Sequence, residues 1–235
     1  MFTIEKAVEK PGGRLSEDEI VERIFDAVID QRLPPGSKLS ESALCEAFGA
    51  SRMHVRRSLL VLASRDVVEL QSNRGAFVAS PTAEQAHEVF EARLIIEPDV
   101  ARMAAERATV ADVQSLATHV GNEVSAHKTG NRHEAIRLSG QFHVAVARIC
   151  ANKVMERMVK ELVTRTSLII GIFGAPGLVN CRDDDHMDIL EAIKTKDQES
   201  AAELMVSHLM HIQGNLDLSN GRRSVVDLVQ IFSQS

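Results

Sequence analysis

Residues 48–59 read FGASRMHVRRSL, and this short segment holds the clearest structural signals in the chain. Gly49 has the backbone freedom to end one helix, and Ser51 has a side chain that can cap the start of the next. The pattern predicts two helices, over about 41–48 and 52–64. A helix, a tight turn that contains glycine and a second helix form a helix-turn-helix.

Two further signals lie on the N-terminal side of this pattern. Apolar residues at helical spacing predict a helix over about 16–31, and Ser16 with Glu19 matches a capping box at its start. Ser40 is predicted to cap the short helix that follows. Together these signals predict a three-helix unit.

A β-hairpin is predicted on the C-terminal side. Two apolar runs, at 67–70 and 76–78, enclose a polar turn at 72–75 that ends in glycine. A hairpin that directly follows a helix-turn-helix is a wing. We therefore predict a winged helix-turn-helix domain over 1–80.

The rest of the chain reads as helices after a linker at 80–82. We predict helices near 83–106, 110–129, 131–149, 152–173, 182–195 and 197–217. The predicted fold is therefore mainly α, with an antiparallel α-helical bundle over 81–235 behind the winged domain. The tail at 222–232 has the pattern of one more short element.

Composition agrees with this fold. Of the 235 residues, 44% are hydrophobic but only 3% are aromatic, and there is no Trp or Tyr, which favours aliphatic side chains on helices. No apolar run is long enough for a membrane helix, and the N-terminus lacks the apolar core of a signal peptide. We expect a cytoplasmic protein without a membrane partner. The three cysteines fit neither a disulfide framework nor a CxxC pattern.

The distribution of charge points to nucleic acid although the net charge is −6. Between positions 51 and 65 the chain carries four arginines and no acid. Arg52 and Arg56 share one face at the start of the second helix, where each can bind guanine with two hydrogen bonds. Arg57 and Arg65 point elsewhere and are expected at phosphates. Arg74, at the wing tip, is expected at a phosphate or in the minor groove.

Segments 33–41, 48–59 and 75–78 together resemble the winged helix-turn-helix of the GntR family of bacterial regulators, over about 16–79. The resemblance implies a homodimer that binds double-stranded operator DNA, mostly as a repressor of metabolic genes. The sequence departs from the family at Met53 and His54, where a small residue and Pro or Thr are usual, and at Arg57, where Glu is usual. The residues predicted to contact DNA are Ser51, Arg52, His54, Arg56, Arg57, Arg74 and Gly75.

Three histidines fall on three different predicted helices of the bundle: His143, His186 and His208. If they face inward together, they form a site for a divalent metal. Imidazole ligands suit zinc and nickel, and an added carboxylate widens the choice to manganese.

Residues 84–217 resemble the all-helical effector domain of the FadR subfamily of the GntR family. There, an Asp and three His bind a metal that helps to bind a small carboxylic acid. The resemblance implies metal ligands at His143, His186 and His208, with Ser139 at the usual Asp position. Three alternatives follow: a three-His site completed by water and effector, a weak metal site, or no metal. Asp183–Asp185 offers nearby carboxylates.

Arg93 and Glu97 are four residues apart on the first helix of the bundle, which permits either an ordinary surface ion pair or an arginine that faces the effector. The predicted effector site is therefore Arg93, Glu97 and Ser139. His211 is a weaker metal candidate, and the remaining histidines of the bundle are expected at the surface: His87, His119, His127 and His133.

Three function classes remain open from the sequence. The first is a regulator controlled by a small organic acid, and the second is a constitutive DNA-binding regulator whose helical domain only dimerises. The third is a metal-dependent enzyme, because three histidines around a metal resemble a hydrolytic site. No HExxH, G-x-S-x-G or phosphate-binding glycine loop is present. We therefore expect a regulator and no enzymatic activity.

Overall fold

A computed structural model of the chain describes residues 15–29, 32–174, 185–218 and 231–232. The helices are α1 (Glu17–Ile29), α2 (Glu41–Phe48), α3 (Arg52–Ser64), α4 (Ala83–Arg107), α5 (Val110–Lys128), α6 (Arg132–Ile149), α7 (Lys153–Phe173), α8 (Asp185–Lys194) and α9 (Gln198–Gly214). The strands are β1 (Lys38–Leu39), β2 (Val68–Gln71) and β3 (Gly75–Val78). The mainly α fold with a small wing is confirmed.

The N-terminal unit is the predicted winged helix-turn-helix. Helices α1–α3 surround a core of aliphatic side chains, and the hairpin β2–β3 follows α3. Strand β1 pairs with β3, so that the antiparallel sheet has the order β1-β3-β2. The sequence analysis missed β1 because a strand of two residues carries no alternating pattern.

Local sequence signals determine where most helices of this unit begin and end. The Ser16–Glu19 capping box forms, and the Ser51 side chain accepts a hydrogen bond from the His54 backbone amide at 3.3 Å. Gly49 adopts a left-handed conformation (φ 59°) and ends α2, as predicted. Ser40 occupies the predicted N-cap position of α2, but its side chain pairs with the Ser42 hydroxyl at 2.9 Å and accepts no hydrogen bond from a backbone amide.

The C-terminal unit is a helical bundle with α4 at its centre. Helix α4 packs against α6, α7, α8 and α9, while α5 packs against α6 and α8. Full capping boxes begin both α4, at Thr82, and α5, at Thr109. Because α4 lies among four other helices, the polar side chains on its inner faces become buried.

The two units share part of their cores. Leu168 of α7 packs with the aliphatic residues of the winged domain, and Arg165 forms an ion pair with Asp66. Phe232, far along the chain, lies in the same core, with its ring centroid 4.6 Å from that of Phe48 at the end of α2. Of the element predicted at 222–232, only residues 231–232 lie within the described part, and they are helical.

Across the described residues, no helix combines the length and the apolar character needed to cross a membrane.

Candidate metal centre and nucleic-acid interface

The three predicted metal ligands meet inside the bundle. His143 on α6, His186 on α8 and His208 on α9 are each at least 97% buried. Nε2 of His208 lies 3.0 Å from Nε2 of His186 and 3.2 Å from Nε2 of His143. Three ring nitrogens therefore point at one shared space.

Each of these imidazoles also has a carboxylate at its other ring nitrogen. The Nδ1 atoms lie 2.6–3.2 Å from carboxylate oxygens that come from α4, α5 and the first turn of α8. The pairs are His143 with Glu97, His186 with Glu123, and His208 with Asp185. A carboxylate that hydrogen-bonds Nδ1, as at His186 and His208, fixes the proton there and leaves the Nε2 lone pair free to bind a metal.

Burial and neighbouring charges keep His143 and His208 neutral and the Glu97 and Glu123 carboxylates ionised, which is the state that binds a metal. Burial lowers the pKa of His143 to about 4 and that of His208 to about 3, so both rings are neutral near pH 7. Burial raises the pKa of Glu123, but the imidazoles of His127 and His186 beside its carboxylate outweigh this effect and hold the pKa at about 2. Burial raises the pKa of Glu97, but Arg93 and His143 together outweigh this effect and keep the pKa well below its ordinary value.

The donor set fits a divalent metal. Two nitrogens that bind one metal at about 2.0–2.1 Å lie roughly 2.8–3.4 Å apart when their bonds meet at octahedral or tetrahedral angles. The observed 3.0 and 3.2 Å fall in this range. With His143 and His208 neutral, the Arg93 charge faces three carboxylates, which leaves the buried cluster with an excess of negative charge. A divalent cation would neutralise it.

Arg93 forms the predicted ion pair with Glu97, but inside the bundle and not at its surface. Its Nε lies 2.5 Å from Glu97, both side chains are 1% exposed, and Nη1 donates to the Thr166 hydroxyl at 3.2 Å. Arg93 also lines a small internal chamber together with Ser139 and His143. The ion pair is therefore shielded from solvent at the wall of this chamber.

The predicted DNA-contacting residues lie at the outer face of α3. Met53, Arg56, Arg57 and Leu60 form an exposed stripe at helical spacing, and Arg52 is exposed beside it. Nε of Arg56 donates to both oxygens of Glu41 at 2.8 and 2.9 Å, which leaves the two terminal amino groups pointing beyond this contact. Arg57 pairs with Glu17 at 3.1 Å.

His54 and the wing complete this surface. His54 is half-buried behind the stripe, and its Nδ1 is buried without a hydrogen-bond partner. Gly75 has a φ of 98°, which favours glycine, and begins β3 at the wing tip. Arg74 is exposed and lies over the Phe77 ring at 5.6 Å. The structure thus places all seven predicted residues along one helix start and one hairpin tip.

Two known families match this chain. The FCD domain matches residues 88–211, and the gntR family of bacterial regulatory proteins matches residues 10–78. The chain belongs to the GntR family, with an FCD domain. It is a DNA-binding transcription regulator and not an enzyme.

Similar proteins agree with this assignment. The chain is 27% identical over 222 residues to the Uxu operon regulator of Haemophilus influenzae, a match that covers 87% of this chain and 80% of that protein. It is 26% identical to the galactonate operon transcriptional repressor of Escherichia coli, over 78% of this chain and 89% of the other. A putative GntR regulator from Rhodococcus has the same fold, with a TM-score of 0.76, 21% identity and coverage of 88% and 99% of the two chains.

The sequence analysis of this GntR-family regulator missed four side chains of the site. It did not identify Glu123 or Thr166, it mentioned Asp185 only as a stand-in ligand, and it placed His127 at the surface. That last prediction was wrong: the His127 side chain is 12% exposed, and its Nε2 is buried. One signal was available, because Glu123 falls on the apolar stripe of α5, where a carboxylate needs a buried partner.

The other histidines lie outside the cluster. His87 is exposed, as predicted, and His119 is half-buried against the Leu138 carbonyl oxygen at 2.7 Å. His211 pairs with the Asn215 side chain at 3.1 Å, so it is not a metal ligand here. The His133 side chain, like Asp183, lies outside the described residues.

Proposed function

We propose that this regulator is a homodimer that represses its operator from the cytoplasm and responds to a small carboxylic acid held at a divalent metal in the FCD domain. The observation that carries the proposal is the set of three buried imidazoles whose Nε2 atoms converge while each Nδ1 faces a carboxylate. Zinc, nickel and manganese are the candidates.

His143, His186 and His208 would hold the metal. Once bound, it supplies an electrophilic centre that attracts the oxygens of an acid. Ser139, at the position where the family usually has Asp, leaves a coordination position for water or the effector. This supports the first of the three alternatives, a three-His site completed by water and the acid.

Arg93 is the second anchor for an anionic effector. Glu97 and Thr166 engage three of its five N–H groups. The remaining two can donate to a carboxylate in the chamber. Because Glu97 also contacts His143 at 2.6 Å, the anchor and the metal ligand are held by one carboxylate. Binding of the acid would therefore act on both together.

Helix α7 provides the physical link between the two units. Thr166 contacts Arg93 in the chamber, while Leu168, two residues further on, packs in the core of the winged domain. Arg165 adds an ion pair to Asp66, just after α3. A small shift of α7 on effector binding would therefore move the recognition helix. The acid must bind one arrangement better than the other to change operator affinity.

On the DNA side, Arg52 and the terminal amino groups of Arg56 are proposed to read bases in the major groove. Ser51 and the start of α3 are proposed to bind a phosphate. Arg57 and Arg74 would contact the backbone, with half-sites spaced at about 10 base pairs in a dimer.

The experiment is a titration of metal-loaded protein against an operator obtained by selection from random DNA. Operator affinity is measured by fluorescence anisotropy with and without a panel of small carboxylic acids. We expect an active acid to weaken operator binding by roughly 10-fold or more, within the usual range of allosteric coupling.

His208→Ala is expected to remove the acid response. His211→Ala is the matched control, because it removes a histidine of the same helix that lies outside the cluster. Tight operator binding that no acid changes in the wild type would instead favour a constitutive regulator.

A further inference from the structure

Met53 is a large apolar side chain in the first turn of α3, on the face that points away from the protein. The side chain is 57% exposed. The buried residues Val55 and Leu62 lie roughly 160–180° around the helix axis from it, because successive residues are about 100° apart. Within the described part of the chain, Met53 belongs to none of the hydrophobic clusters. Its apolar surface is therefore available to a partner.

Two arginines of the exposed stripe lie on either side of Met53. Around the axis of α3, Arg56 is about 60° to one side and Arg57 about 40° to the other. The Arg56 side chain is held by both oxygens of Glu41. The Arg57 side chain is held by Glu17. When this face enters the major groove, its middle lies deepest, so Met53 meets the edges of bases and not the phosphates.

The chemistry of methionine selects one of the groups that the major groove presents. The side chain has no hydrogen-bond donor, and its thioether sulfur is a weak acceptor. Every base pair presents hydrogen-bonding groups in the groove, but thymine adds an apolar one, its C5-methyl group. A flexible apolar chain packs well on this methyl group. Against an amino or carbonyl group it would displace water without supplying a hydrogen bond.

We propose that Met53 is a specificity-determining residue that packs on the C5-methyl group of a thymine in each half of the operator. The inference rests on the proposed function, which places the start of α3 in the major groove. Met53 precedes Arg56 by about 4.5 Å along the helix axis. Base pairs are about 3.4 Å apart, so the thymine lies within about two base pairs of the base that Arg56 contacts.

The test removes the methyl group and nothing else. Full-length protein is titrated by fluorescence anisotropy against an operator selected from random DNA, in which each thymine is replaced in turn by 2′-deoxyuridine in both half-sites. Deoxyuridine keeps the hydrogen-bonding groups of thymine and lacks its methyl group. At one position in each half-site we expect a loss of affinity of about 4-fold per methyl group, or on the order of 10-fold for the two together.

Met53→Ala is expected to bind the thymine and deoxyuridine operators with equal affinity, because its side chain is too short to reach the methyl group. The matched control is Leu60→Ala, which truncates another side chain of the stripe that is also 57% exposed. Leu60 lies about two turns further along α3. This variant is therefore expected to keep the full response to deoxyuridine.

Three results would overturn the inference and leave the proposed operator binding standing. The first is an operator in which no thymine responds to the loss of its methyl group. The second is a response that persists in Met53→Ala, and the third is a response that Leu60→Ala removes equally. Failure to select any operator would instead contradict the proposed function together with this inference.

Discussion

Phe232→Ala should destabilise the winged helix-turn-helix domain, although residue 232 follows the FCD domain in the chain. The ring is 4% exposed and packs on Phe48 in the core of the winged domain. Truncating a buried Phe to Ala typically costs about 3–5 kcal/mol, from lost burial and the cavity that remains. In a domain of this size that loss lowers the unfolding temperature by on the order of 10 °C or more.

The assay must report on the winged domain alone. The chain has no Trp or Tyr, so intrinsic fluorescence is of little use. Hydrogen exchange of peptides from α1 and α3 follows this domain directly, and we expect their protection to fall by roughly 100-fold. The FCD helices α5 and α8 should keep theirs.

Leu60→Ala is the matched control for this prediction. Its side chain is 57% exposed on α3, so truncation should change the stability by less than about 0.5 kcal/mol. If Phe232→Ala and Leu60→Ala gave the same small change, the contact between the tail and the winged domain would be refuted as a source of stability.

Three more predictions follow from the buried cluster and the DNA surface. In metal-free protein, the free energy of unfolding should fall between pH 7 and pH 5, because the unfolded chain takes up protons near pH 6.5 while His143 and His208 keep folded pKa values of about 4 and about 3. The expected loss of stability at pH 5 is roughly 2 kcal/mol for each ring. Urea unfolding followed by circular dichroism measures it, and a stability that does not change with pH would contradict the prediction. Arg93→Met should destabilise by about 3–5 kcal/mol because it leaves the Glu97 carboxylate buried without its cation. The double variant Arg93→Met/Glu97→Leu should be more stable than Arg93→Met alone, because it no longer buries an unpaired carboxylate. A double variant that is as unstable as Arg93→Met, or less stable, would argue against the buried pair. Arg56→Ala should weaken specific operator binding by roughly 10-fold or more in a gel shift while the circular dichroism spectrum stays unchanged; an unchanged operator affinity would exclude this side chain from base reading.

The winged domain could be predicted closely because its signals are local. Gly49 and Ser51 mark a turn within a few residues, and the Ser16–Glu19 capping box needs no distant partner. The missing cap hydrogen bond at Ser40 is also a local effect, because the neighbouring Ser42 hydroxyl competes for the side chain that was expected to cap α2.

The metal cluster could be predicted only in part. The spacing and resemblance identified the three imidazoles, but their carboxylate partners depend on which helices become neighbours. Glu123 is 63 residues from His186 in sequence, and only the packing of α5 on α8 brings them to 2.7 Å. The burial of His127 likewise follows from packing, because no pattern in the sequence distinguished it from the histidines expected at the surface.

The most direct test of the metal centre is the metal content per chain of untagged protein purified without chelators and then exposed to zinc, nickel or manganese. We predict about one ion per chain in the wild type and in His211→Ala, and almost none in His208→Ala. Almost no metal in the wild type under all three conditions would contradict the account.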